Sequence, residues 1–125
     1  MTEQNPNRIS LLWVASAVAL TFPLFLLFKY LGHPGNGRAA WFSAFTIVLV
    51  AKVRWELSKH GWFWATIAAI VLYHLPLVLL FPWTATWVPS FVIMPFCVVD
   101  GVAMLALIQA VEKRMSTVKD SVPVD

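Results

Sequence analysis

Residues 52–83 pass from charged residues into a long apolar run, in an order that matches a cross-section of a membrane. The stretch starts with Lys52 and Arg54, continues through three aromatic residues at 62–64, and ends beyond the apolar run at Pro82 and Trp83. Charged side chains favour water, aromatic rings favour the headgroup level, and about 20 apolar residues form a helix that crosses the ~30 Å hydrocarbon layer. The stretch therefore predicts a transmembrane helix.

The composition of the whole chain favours a membrane protein over a soluble one. Of its 125 residues, 60% are hydrophobic and 12% are charged, whereas soluble domains carry roughly 25% charged residues. The length allows one domain, residues 1–125. Because the Lys and Arg residues behind the net charge of +3 lie in short clusters beside apolar runs, we expect the lipid bilayer and no nucleic acid as a partner. Cys97 is the single cysteine, which excludes an intrachain disulfide and a thiolate zinc site.

Four apolar runs predict four helices. Their expected bounds are residues 9–31, 39–57, 61–80 and 88–111. Three glycines and Pro34 between the first two runs predict a tight hairpin, and the second helix reaches 57 because Lys52 and Arg54 can extend their charged ends towards the headgroups. The first run continues well past its small residues at 15–17, so we expect a retained helix rather than a cleaved signal peptide. Residues 81–87 are expected to lie flat in the interface, and the polar ends, 1–7 and 115–125, to be flexible.

The basic residues predict the orientation of this bundle. Four crossings place both termini on one side, and the basic residues on that side are Arg8, Lys52, Arg54, Lys59, Lys113, Arg114 and Lys119. The other side holds Lys29 and Arg38. Because cytoplasmic loops carry the excess of Lys and Arg, we predict an all-α integral membrane protein, a compact bundle of four transmembrane helices. We expect both termini in the cytoplasm and the chain in the bacterial inner (plasma) membrane.

Asp100 is the main candidate for function, because it is an acid near the middle of the fourth predicted helix. A lipid-facing charge there costs about 2.5–3.5 kcal/mol on insertion scales, so Asp100 must face protein, water or another chain. Cys97, Gly101 and Met104 lie beside it at helical spacing. Two interpretations remain open: a proton or cation relay or counter-charge for a ligand, and a hydrogen-bonded carboxyl that holds helices together.

His74, on the third helix, is the second candidate. Its expected depth differs from that of Asp100 by about 9 Å, so direct contact would require a tilt, a kink or a bridging water. Thr66 and Tyr73 share its helix face and could complete a polar seam. The alternative is a neutral histidine bonded to carbonyls that Pro76 leaves without an N–H partner.

The predicted cytoplasmic loop between the second and third helices is dense in charge. Arg54, Glu56, Lys59 and His60 could bind a partner or a lipid phosphate, or could simply set the topology. The three histidines, His33, His60 and His74, are expected at three depths, which argues against a metal centre and against haem ligation. We therefore expect neither a metal nor another cofactor.

Two functions fit these observations. The chain has no convincing nucleophile or acid–base pair, so an enzyme is the less favoured class. The first function is that of a non-enzymatic membrane component: a subunit, an accessory protein or an immunity-type binding partner that associates with another membrane protein or with itself. The alternative is an oligomeric ion channel or proton-coupled small transporter that uses Asp100.

Overall fold

The computed structural model describes residues 9–83 and 90–123, and this part of the chain is helical throughout apart from short connections. It contains the α-helices α1 (Leu11–Tyr30), α2 (Pro34–Val53), α3 (Gly61–Leu80) and α4 (Ser90–Ser121), with a short 3-10 helix (Trp55–Lys59) between α2 and α3. Helices α1, α3 and, from Phe91 onward, α4 are long and apolar enough to cross a membrane. By length and composition, the chain is thus a membrane protein.

Two local signals set the limits of α1. Ser10 caps its start, because the side chain accepts a hydrogen bond from the Trp13 N–H at 3.2 Å. At its end, the His33 N–H bonds the Phe28 carbonyl while Gly32 adopts a φ of 83°. Only glycine enters this left-handed region at little cost, and the pattern is a Schellman turn. The predicted hairpin is therefore present, but it spans only a few residues.

The predicted bounds of α2 were wrong at both ends. The helix begins at Pro34 rather than at residue 39, since proline is favoured in the first helical position. It ends at Val53 rather than at 57, and the following residues form the 3-10 helix. The side chain of Leu57 in that 3-10 helix is 6% exposed, so this connection turns back onto the bundle instead of prolonging α2.

The predicted end of α4 at residue 111 was also wrong, because the helix continues to Ser121. Charged residues mark where a helix leaves a membrane, but they do not break its backbone hydrogen bonds. Within the described residues, the next proline after Pro95 is Pro123, and the helix ends just before it. The expected flexible tail therefore begins later than 115. Residues 1–7, and the end of the segment expected in the interface, lie outside the described residues.

Helix α2 is the centre of the structure, since it packs against α1, α3 and α4. Against α1 the approach is close: a Cβ added to Gly37 would lie 2.9 Å from Phe28 Cβ. The opposite end of α2 meets the main core, a cluster of six buried residues: Val50, Leu57, Phe63, Ile70, Met104 and Ile108. We call the end of the structure that holds Arg54, Lys59 and Lys113 the basic end, and the end that holds residues 31–33 the hairpin end. The main core fills the half next to the basic end.

Candidate functional site

His74 and Asp100 form a hydrogen-bonded pair between α3 and α4. Nε2 of His74 lies 2.9 Å from Oδ2 of Asp100, and Nδ1 of His74 lies 2.7 Å from the carbonyl oxygen of Ile70. The imidazole is buried, whereas 32% of the Asp100 side chain is exposed. The sequence had placed the two residues about 9 Å apart in depth, and the direct contact corrects that expectation.

The register of the two helices explains why the pair forms. Thirteen residues separate Gly61, where α3 begins at the basic end, from His74. Twelve residues separate Asp100 from Glu112, which is ion-paired with Arg54 at the same end. Both members of the pair therefore stand about 18–20 Å from the basic end at 1.5 Å per residue. The sequence-based depth of Asp100 was wrong because it was taken from a shorter fourth helix, 88–111, than the α4 of the structure.

The contact with Ile70 determines which protons the pair holds. A carbonyl oxygen can only accept a hydrogen bond, so Nδ1 of His74 must carry a proton. The bond between Nε2 and Oδ2 then needs one further proton, held either by the imidazole as a cation or by the carboxyl as a neutral acid. In both cases the pair has no net charge and shares one proton. That state is inexpensive in an apolar medium, whereas a lone carboxylate is not.

The structure does not show His74 bonded to a carbonyl that Pro76 leaves without a donor, which was the alternative interpretation. Because Pro76 has no N–H, it leaves the carbonyl of Leu72 without its helical donor. Nδ1 of His74 instead contacts Ile70, one turn before it. The imidazole therefore donates to a carbonyl of its own helix through Nδ1, and its other nitrogen, Nε2, faces α4.

Helix α2 contributes hydroxyl groups to the surroundings of the pair. Thr46 donates to the carbonyl of Phe42 at 2.8 Å, and its methyl would lie 3.3 Å from a Cβ added to Gly101. The Cys97 thiol lies near both Thr46 and Asp100. The sequence analysis had placed Cys97 and Gly101 beside Asp100 but missed Ser43 and Thr46. Their signal is the three-residue spacing of two hydroxyls within the apolar middle of α2, residues 39–51.

Two open clefts flank the pair in the half next to the hairpin end. One, of about 300 Å³, lies between α1, α2 and α3 and has His74 in its wall. The other, of about 240 Å³, lies between α2, α3 and α4 and has Asp100 in its wall; we call it the Asp100 cleft. Ser43 lines both. The pair thus lies on the hairpin-end side of the main core, between two clefts that a ligand or lipid chain can enter.

Of the two residues expected to share a seam with His74, one lies near the pair and the other does not. The Tyr73 ring packs edge-on against the His74 ring, with 5.5 Å between centroids, and lines the Asp100 cleft. Thr66 is buried two turns nearer the basic end, and its hydroxyl donates to the carbonyl of Trp62 at 2.8 Å. The predicted seam is therefore limited to the pair and Tyr73.

The charged loop is attached to the bundle rather than extended from it. Arg54 forms ion pairs with Glu112 of α4 and, at 3.4 Å, with Glu56. The Trp64 indole donates to the carbonyl of Ser58 at 2.8 Å. Lys59 and His60 are exposed, and the His60 ring stacks on Trp62 at 5.8 Å. Arg54 therefore holds the loop in place through both acids, whereas Glu56, Lys59 and His60 are exposed.

Within residues 9–83 and 90–123, no group of three or more His, Cys, Asp and Glu side chains is arranged to hold a metal ion. Comparisons with protein-family models, with curated proteins and with solved structures found no match to the chain. The geometry around His74 and Asp100 therefore carries the functional argument.

Proposed function

We propose that the chain is a non-enzymatic, four-span protein of the bacterial inner membrane with both termini in the cytoplasm. The proposal that α2 also crosses rests on its 20 residues, the same number as in α1 and α3. Its first turn is less apolar, with Asn36 and Arg38, but α2 is surrounded by the other three helices and needs less lipid-facing surface. The basic end would face the cytoplasm because it collects most of the Lys and Arg residues.

Within this topology, the function that we propose is proton-coupled transport, with His74 and Asp100 as the group that takes up and releases the proton. The observation that carries it is the pair itself, with 2.9 Å between Nε2 of His74 and Oδ2 of Asp100, a hydrogen bond that needs one proton between the two groups. Ionisable residues within transmembrane segments commonly mark proton relays and substrate paths. A pair that can hold or lose one proton provides the two charge states that coupling requires.

Clefts lie on both sides of the pair. The half next to the hairpin end holds the two clefts described above and a small buried cluster of Ala39, Ala40 and Val78. The half next to the basic end holds the main core and another cleft, of about 480 Å³, with Lys52 and Trp64 in its wall. His74 and Asp100 line only the clefts next to the hairpin end, so we propose that the substrate reaches the pair through these.

A single copy offers few polar groups for a continuous path. The Asp100 cleft is walled mainly by apolar and aromatic side chains, with hydroxyls from Ser43 and Tyr73. We therefore propose that the working unit is an oligomer in which a second copy completes the path.

Proton flux into proteoliposomes tests this function. Purified protein is reconstituted, a K⁺ gradient with valinomycin sets the potential, and a trapped pH dye reports acidification. With no other substrate present, we expect the wild type to leak protons down the potential through the pair, and Asp100→Asn to give no flux above that of empty vesicles. Asparagine can donate an N–H to Nε2 of His74 and so preserve the helix contact, but it cannot release a proton at this depth. Equal flux from both proteins would remove Asp100 from the mechanism and overturn the proposal.

A second function is favoured by another property of the same pair. Above the main core, His74 and Asp100 form a direct polar tie between α3 and α4, and intramembrane polar groups often serve only to hold helices together. The chain would then be a subunit, an accessory protein or an immunity-type partner in a membrane complex. Intact-complex mass measurement after extraction in mild detergent tests this. A defined partner together with absent flux would support it, and a lone monomer under every condition would contradict it.

A further inference from the structure

We infer that the Asp100 cleft binds a small hydrophobic organic cation, which exchanges with the proton of the His74–Asp100 pair. This inference rests on the proposed transport function and names its substrate class. The cleft combines one carboxylate with four aromatic residues: Phe42, Tyr73, Trp83 and Phe96. Carboxylates and aromatic ring faces both attract organic cations, and the attraction is strongest where water is excluded.

The carboxylate has capacity for a ligand. Oδ2 of Asp100 is engaged by His74, whereas Oδ1 has no hydrogen-bond partner among the described residues, and a third of the side chain is exposed. An ionised carboxylate has about four lone-pair sites, so the single contact with His74 leaves most of them unused. A cation in the cleft would therefore meet a partly uncompensated acceptor.

The charged residues that line the Asp100 cleft determine whether it favours a cation or an anion. Among the described residues, its lining contains Asp100 and no Lys, Arg or His. An anion would find no counter-charge there and would lie against a carboxylate. Of the described residues that line the other cleft, His74 alone is ionisable, and the others are apolar apart from Ser43. That cleft therefore gives no comparable reason to select a charged ligand.

Exchange follows from the charge balance of the pair. Before binding, the pair holds one shared proton and no net charge. When a cation enters beside Asp100, the site would carry an uncompensated positive charge unless the proton leaves. The bond that holds the shared proton then breaks, either N–H at Nε2 of His74 or O–H at Asp100. Its electron pair stays on that nitrogen or oxygen, and the proton passes to water. The Asp100 carboxylate turns from the imidazole to the cation, and Nδ1 keeps its proton on Ile70.

Other titratable groups around the exchange are few. From α3, Tyr73 lines the cleft, and from α4, Cys97 does so; α2 contributes Ser43 and no charged or titratable side chain to the lining. Neither the phenol nor the thiol carries a charge that would replace the lost proton. The proton released on binding is therefore assigned to the pair.

Calorimetric titration with benzyltrimethylammonium tests the inference on the full chain in mild detergent. Titration in two buffers with different ionisation enthalpies gives the number of protons released. We expect saturable binding at one site per chain with release of up to one proton, and no binding of benzenesulfonate, an anion of similar size. Asp100→Asn should bind at least tenfold more weakly, and Phe96→Leu about threefold. Asp120→Asn, an equivalent change at an exposed position near the end of α4, should bind like the wild type.

The outcomes separate this inference from the function on which it rests. Equal affinity of the wild type and Asp100→Asn, or no saturable binding by the wild type, would overturn the cation site. If that result came with Asp100-dependent proton flux, transport would stand with another substrate. Cation binding that depends on Asp100, without flux in proteoliposomes, would support the site and contradict the carrier.

Discussion

Arg54, at the end of α2, is ion-paired with Glu112 of α4, and Glu112 lies about 18 Å along α4 from Asp100. Helix α4 is thus tied to the rest of the structure at two polar points, with Met104 and Ile108 of the main core between them. The ion pair and the buried residues between the two points accompany the register that brings Asp100 level with His74.

Replacing Glu112 with Gln should loosen the tie at the basic end. The two side chains are 21% and 41% exposed, so screening by water limits the loss to about 0.5–1 kcal/mol. Arg54→Gln should cost more because it removes the pair with Glu56 as well. Thermal unfolding in detergent measures the stabilities of the three variants. Glu56→Gln is the control, and its loss of stability should be the smallest. A Glu56→Gln protein less stable than the Glu112→Gln protein would contradict it.

Gly37→Ala should destabilise the contact between α1 and α2. The added Cβ would lie 2.9 Å from Phe28 Cβ and 3.1 Å from the Phe25 carbonyl oxygen, so the backbones must separate. Overpacking of this kind typically costs about 1–3 kcal/mol. The matched control is Gly61→Ala, where a Cβ would meet nothing within 4 Å. Unfolding midpoints of the two variants should differ clearly, and equal midpoints would show that the close approach is absent.

The helices themselves were largely predictable from the sequence, because apolar length is a strong signal. The predicted third helix, 61–80, coincides with α3, and the first differs from α1 by two residues at its start and one at its end. The errors lie at α2 and at the end of α4. The glycines at the start of α2 predicted a loop, but they are helical and buried, and Gly37 packs closely against α1. The charges after residue 111 mark a membrane exit and do not end the helix.

The candidate site was predictable as residues but not as a pair. An acid and a histidine in apolar runs stand out because each is costly in lipid. Their meeting depends on the register between α3 and α4, which the contact of Arg54 with Glu112 reports and no local pattern encodes. Ser43 and Thr46 are uncharged and therefore do not stand out in an apolar run, so the position of Thr46 beside Cys97 was not predicted.

The variants Asp100→Asn and Asp100→Leu should distinguish the role of Asp100 in holding α3 to α4 from its role in taking up a proton. Asp100→Asn keeps a donor for Nε2 of His74, so its stability should stay close to that of the wild type. Asp100→Leu leaves a buried nitrogen without a partner, which should cost about 1–2 kcal/mol. Unfolding of the three proteins in mixed detergent micelles measures this. A leucine variant as stable as the wild type would show that the pair does not join α3 to α4.

Asn36 should protect the end of α3 from local opening. Its side-chain N–H donates to the Val78 carbonyl at 2.9 Å, which has no helical donor because residue 82 is proline. Asn36→Asp replaces the donor with an acceptor and should cost about 1 kcal/mol locally. Hydrogen exchange should then quicken roughly fivefold over the last turn of α3 and stay unchanged near Gly61. A uniform change along α3 would contradict the capping role.

The most direct test of the account is the nitrogen-15 spectrum of the His74 imidazole in lipid bilayers, assigned by its loss in His74→Asn. We predict that Nδ1 is protonated under all conditions in which the protein is folded, because it donates to Ile70. We also predict that the Nε2 resonance reports a strong hydrogen bond that changes on Asp100→Asn. An unprotonated Nδ1, or a His74 spectrum that is the same in the wild type and in Asp100→Asn, would contradict the shared proton on which the proposed function depends.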